Sequence, residues 1–109
     1  MVARIGNDIR VNTSVTDKAG QAITLTGAQL EVSLRSALGG TIAVTAFSTS
    51  GSMLKFDVLA SEILNVGYYD LVVRIERTDG SIRGGKSTVT IDKRRFLKIV
   101  PHDELITDD

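Results

Sequence analysis

The stretch Gly67-Tyr68-Tyr69-Asp70-Leu71-Val72-Val73-Arg74-Ile75-Glu76 decides the fold. Tyr69, Leu71, Val73 and Ile75 recur at every second position. Tyr68, Asp70, Arg74 and Glu76 stand between them, with Val72 as the one apolar interruption. Side chains alternate across a β-strand, so this spacing puts the first set on a buried face and the second on the opposite face. Thr78-Asp79-Gly80-Ser81 follows at once and reads as a tight hairpin, since Asp bonds its own backbone and Gly turns freely. Gly84-Gly85 then allows the returning strand to bend or bulge.

The same period runs outward in both directions. Ile9, Val11, Thr13 and Val15 share a face of a first strand. Leu30, Val32 and Leu34 do so in a second, Ile42, Val44 and Ala46 in a third, and Leu54, Phe56 and Val58 in a fourth. Thr88 to Asp92 and Phe96 to Val100 are two further extended pieces, separated by Arg94-Arg95, and Pro101 ends the last because it has no N–H for a ladder. Turn signals stand between them: Asp17-Lys18-Ala19-Gly20, Gly39-Gly40, and a loop over Ser48 to Ser52. Gln21 to Gly27 reads as an extended link, and Ser61 to Leu64 as one helical turn. About seven short strands, with a turn roughly every ten residues, predict an antiparallel β-sandwich. Val11, Leu30, Val32, Leu34, Val44, Phe56, Tyr69, Leu71 and Val73 are its expected core.

Composition agrees. The 109 residues fit one domain, expected over 1–101, with 102–109 as an acidic C-terminal tail. Val 11, Ile 10 and Thr 11 give a strong β-branched bias, which suits a pleated surface. Thirteen Lys and Arg offset thirteen Asp and Glu, for a formal net charge of +0. That argues against coating nucleic acid or an anionic membrane by bulk charge. With no Cys there is no disulfide, thiolate metal site or cysteine nucleophile. No apolar leader or membrane-length run is read. These features point to synthesis in a reducing cytosol.

Leu64-Asn65-Val66-Gly67-Tyr68-Tyr69 resembles the tyrosine corner of immunoglobulin-like sandwiches. There a phenol on the inward parity bonds back to the preceding loop. Leu64, Gly67 and Tyr69 are the corner residues, and Tyr68 faces outward. Leu71 stands where a disulfide-bearing domain of this type carries Cys. Over residues 5 to 100 the chain is similar to the immunoglobulin-like N-terminal domain of phage baseplate upper proteins, and to related small virion proteins of tailed phages from gut Bacteroidetes. The likeness rests on Gly6-Asn7-Asp8-Ile9-Arg10-Val11, Asp17-Lys18-Ala19-Gly20, Leu25-Thr26-Gly27-Ala28-Gln29-Leu30-Glu31-Val32, Gly67-Tyr68-Tyr69-Asp70-Leu71 and Phe96-Leu97-Lys98-Ile99-Val100. It implies a non-enzymatic, usually oligomeric structural protein of the virion, assembled in the host cytoplasm. Its place would be in a baseplate, neck, tail, head fibre or head decoration. The chain departs from the resemblance in having no long C-terminal shaft or receptor-binding region.

Catalytic readings fare poorly. His102 is the single histidine, beside Pro101, with no second His or Cys to complete a site. Asp8, Asp17, Asp57, Asp70 and Asp79 lack the spacing of a calcium loop, and Asp17 and Asp79 are explained as turn residues. Gly80-Ser81-Ile82-Arg83-Gly84-Gly85-Lys86-Ser87 formally matches a phosphate loop. It is followed by the strand pattern Thr88-Val89-Thr90-Ile91 rather than a helix, so the match is accidental. No catalytic residue, cofactor or metal ligand is predicted.

The remaining candidates concern partners. Arg83, Lys86, Lys93, Arg94, Arg95 and Lys98 lie close together, opposed only by Asp92. Without an aromatic stacking platform, such a cluster fits a guarded edge strand or an acidic protein surface better than nucleic acid. Tyr68 and the tail residues Leu105 and Ile106 complete the candidate partner-binding set. Expected partners are other virion proteins and further copies of the chain, with no direct nucleic acid and no membrane. A carbohydrate-binding or adhesion module is the alternative, weakened by the absence of Trp and by Tyr68 being the one evident exposed aromatic.

Overall fold

The computed structural model describes residues 1–63, 65–81 and 83–101. Leu64, His102, Leu105, Ile106 and the rest of the tail lie outside the described residues. Among the described residues eight strands form: β1 (Val2–Arg4), β2 (Ile9–Ser14), β3 (Gln29–Ser36), β4 (Thr41–Val44), β5 (Phe47–Ser50), β6 (Met53–Val58), β7 (Gly67–Thr78) and β8 (Lys86–Val100). A single 3-10 turn, Ala60–Glu62, separates β6 from β7.

The strands make two sheets, ordered β1-β8-β7-β3-β4 and β2-β6-β5. The chain changes sheet between β1 and β2, between β2 and β3, between β4 and β5, and between β6 and β7. This Greek-key winding around two packed layers is an immunoglobulin-like β-sandwich. Among the described residues every pairing is antiparallel except one: β1 runs parallel to β8, Val2 opposite Lys98 and Arg4 opposite Val100. The larger sheet is therefore mixed.

The period-two faces pack as the spacing predicts. Val11, Val32, Leu34, Val44, Phe56, Tyr69, Leu71 and Val73 are buried in one cluster between the sheets. Leu30, opposite Ile75 near the end of β3, is only partly buried against it. Three regions differ from the sequence expectation. Val2–Arg4 forms a short strand, β1, beside β8. Ser48–Ser50 is not loop but most of β5, which folds back on β6 with Phe47 opposite Phe56. Its Ser and Thr side chains lie on an exposed edge, where no apolar alternation is required. The extended pieces flanking Arg94-Arg95 are one strand, β8, interrupted by a bulge rather than divided. The gain of β1 and β5 and the merging of the last two strands turn seven into eight.

Loops are fixed by the groups expected to fix them. The Asp17 carboxylate accepts the Ala19 and Gln21 N–H groups, each at 2.9 Å. In the β7–β8 turn, Asp79 accepts the Ser81 hydroxyl at 2.6 Å and the Ser81 N–H at 3.0 Å. Those bonds, the hydroxyl first, hold the Asp79 carboxyl below its ordinary value. Lys86 and Ser87 open a strand, opposite Thr78 and Arg77 of β7, rather than a helix. The Gln21 to Gly27 link buries Leu25, whose N–H donates to Gly51 O at 2.8 Å.

The corner is present. Tyr69 is buried, and its hydroxyl donates to Asn65 O at 2.9 Å. Gly67 opens β7 at φ +115°, a backbone conformation that side chains rarely adopt. Tyr69→Phe removes only the hydroxyl, so it should lower unfolding stability by about 1 kcal/mol. Leu71→Ala opens a cavity in the sealed core and should cost about 2–5 kcal/mol. Urea denaturation of both variants checks the order; an equal or smaller loss for Leu71→Ala would contradict the packing described.

Candidate functional site: a cationic aromatic patch on a bulged strand

The basic residues of β8 are sorted by a bulge. Tyr69 pairs with Leu97 and Leu71 with Lys93, so one residue of β7 faces three of β8, Arg94 to Phe96. The insertion adds two residues, an even number, so strand parity survives it. Lys93 and Leu97 both point inward, on either side of the bulge. Arg95 adopts φ 52°, and it alone among the described non-glycine residues has a positive φ. That conformation costs a non-glycine residue roughly 1–2 kcal/mol. The Asp70 carboxylate stabilises the bulge by accepting the Arg95 N–H at 2.8 Å.

The bulge brings cations onto Tyr68. The Arg95 guanidinium carbon lies 5.2 Å from the ring centroid, and Lys98 Nζ lies 5.5 Å from it. Lys98 is the cross-strand partner of Tyr68, and both lie on the outer face of the five-stranded sheet. A cation over an exposed ring is worth about 0.5–1 kcal/mol. Tyr68 is 39% exposed, so the cluster is accessible. Arg35 of β3 stands opposite Asp70 on the same face. Sequence reading missed Arg35, because a strand pairing brings it there across half the chain. Arg94, at the bulge, is exposed and has no hydrogen-bond or ion-pair partner among the described residues.

The other predicted basic residues are elsewhere. Lys93 faces the opposite sheet, where its ammonium donates to Thr13 Oγ1 at 3.1 Å and to Ser14 O. It ties β8 to β2 and does not share the outer patch. Lys86 pairs with Glu76 at 3.2 Å near the hairpin end, with exposed Arg83 in the turn beyond. These two stand roughly 30 Å along β8 from Arg95, by strand rise. The basic cluster is therefore three things: a hairpin tip, an internal tether and a patch of Arg94, Arg95 and Lys98 around Tyr68.

An open groove of about 790 Å³ lies beside β4 and β5, lined by Ile42, Val44 and Phe47 with Arg10, Lys55 and Asp57. Arg10 and Asp57 already pair across β2 and β6 at 3.2 Å. Among the described residues, no three His, Asp or Glu side chains come together to hold a metal ion.

Asp70→Ala should release the Arg95 N–H and lower stability by about 1 kcal/mol. Amide hydrogen exchange reads this directly: the Arg95 N–H should be protected in the parent and exchange rapidly in the variant. Equal protection in both would show that Asp70 does not hold the bulge.

No protein-family model matches this sequence, and no curated protein was found to be similar to it.

Proposed function

We propose that this protein is a non-enzymatic structural component of a phage virion, an adaptor that docks a neighbouring subunit through the Tyr68–Arg95–Lys98 patch. The observation carrying this reading is the bulge itself. A strained Arg95 is held by Asp70 so that two cations gather on an exposed aromatic ring. A rigid aromatic flanked by Arg is the composition that concentrates binding energy at protein interfaces. Its charge complements an acidic protein surface, which steers encounter and fixes orientation. The similarity in turn and core residues to baseplate upper protein N-terminal domains supplies the virion setting. Position in the particle, whether baseplate, neck, tail, head fibre or decoration, follows from which subunit carries the complementary acids.

The carbohydrate-binding alternative needs a ring face free to stack on a sugar. Arg95 and Lys98 already engage the Tyr68 ring, which favours a protein partner over a glycan.

The test is incorporation. Charge reversal by Arg94→Glu, Arg95→Glu and Lys98→Glu together should keep the circular dichroism of the folded isolated domain, with melting lowered by several degrees for the lost cation–ring contacts. It should lower the number of copies per purified particle by roughly tenfold or more, as loss of complementary charge does at interfaces. Incorporation at the parent level would overturn the reading, as would glycan-array binding abolished by the same changes.

A further inference from the structure

The longest unpaired edge in the fold belongs to β8. β7 pairs with it along one side over most of its length, whereas β1 covers the other side only at Lys98–Val100. Lys86 to Leu97 therefore has an open side among the described residues. The other edge strands, β1, β4, β5 and β2, run three to six residues. Natural sheets guard such an edge with charge, proline or a bulge. Here Thr88-Val89-Thr90-Ile91 carries neither charge nor proline, and Val89 is 47% exposed. The bulge at Arg94 to Phe96 ends this window without covering it.

Which main-chain groups face outward follows from the ladder. Asp79 N–H donates to Gly85 O at 2.9 Å, so Gly85 faces β7. Alternation then turns Ser87, Val89, Ile91 and Lys93 toward β7, and Lys86, Thr88, Thr90 and Asp92 toward the open side. Two copies of this edge can match antiparallel only when the two-fold axis passes through a residue. An axis between residues would set outward groups against inward ones.

We infer that the open edge of β8 pairs with the same edge of a second copy, antiparallel, about a two-fold axis at Val89. In that register Lys86 faces Asp92 of the other copy on both sides of the axis. Thr88 faces Thr90, and the two Val89 side chains meet. About eight main-chain hydrogen bonds form between the outward groups. An axis at Thr90 instead sets Lys86 against Arg94, and one at Thr88 sets Asp92 against Gly84, so charge selects Val89. The two five-stranded sheets become one continuous sheet. The inference stands apart from the Tyr68 patch, which lies beyond the bulge, so either can fail without the other.

The chain has no Cys, so a single introduced thiol reports one contact. Across a non-hydrogen-bonded pair, two Val89 Cα atoms approach to about 4.5 Å, within disulfide reach. Two Ser87 residues would stand roughly 13 Å apart along the strands. On mild oxidation Val89→Cys should become mostly disulfide-linked dimer, and Ser87→Cys should stay monomeric. Thr90→Pro removes an outward N–H but no β7 bond, so it should remain folded and sediment as a monomer where the parent is dimeric at roughly millimolar chain. Lys86→Asp should weaken the dimer, and adding Asp92→Lys should restore it. Equal cross-linking of Val89→Cys and Ser87→Cys, or a parent that stays monomeric at that concentration, would overturn the inference. Capture of an unrelated strand by this edge in place of a second copy would do so as well.

Discussion

One hydrogen bond, from the Arg95 N–H to the Asp70 carboxylate at 2.8 Å, lets β8 serve two ends of the molecule. Upstream of it, β8 forms a long hairpin with β7. Downstream it continues against β7 and accepts β1 in parallel, with Lys98 N–H donating to Met1 O and Ile5 N–H donating to Val100 O, each at 2.9 Å. The two inserted residues keep the inward parity, so Lys93 and Leu97 both face the second sheet. An odd insertion would turn one of them to solvent, because strand faces alternate with period two. Both the core and the cationic surface depend on that even count.

The corner on β7 and the bulge on β8 lie side by side. Tyr69 closes the buried side through Asn65, and Tyr68 carries the cations on the outer side. Adjacent residues of one strand thus divide the work: one anchors the loop before the strand, and the other presents a surface. The strain at Arg95 is local and is opposed by a charged acceptor and by contact with the ring. Such strain persists where the surrounding structure over-determines it. That is the physical basis for giving this patch a role beyond solvation.

Much of this was legible in the sequence. Alternation in β7 and its neighbours revealed the buried face, and the Leu-x-x-Gly-x-Tyr spacing located the corner hydroxyl. The edges were harder to read. Ser48-Thr49-Ser50 has the composition of a loop, and it becomes a strand only because β6 returns beside it. Val2–Arg4 is three residues long, and its partner lies at the far end of the chain. Gly84-Gly85 allows a bend or bulge by composition, whereas the bulge in β8 falls at an arginine whose carboxylate acceptor is distant in sequence. Lys93 reads as surface charge, and only the packing of one sheet on the other brings its ammonium to Ser14 O. Arg35 joins the patch through strand pairing, which no local pattern encodes.

The outer face around Tyr68 is proposed as an interface with an acidic subunit, and a density map of the intact particle would show it. Tyr68, Arg95 and Lys98 should be covered by a neighbouring chain, with carboxylates within ion-pair distance of both cations. A particle in which this chain is present and that face is open to solvent would contradict it.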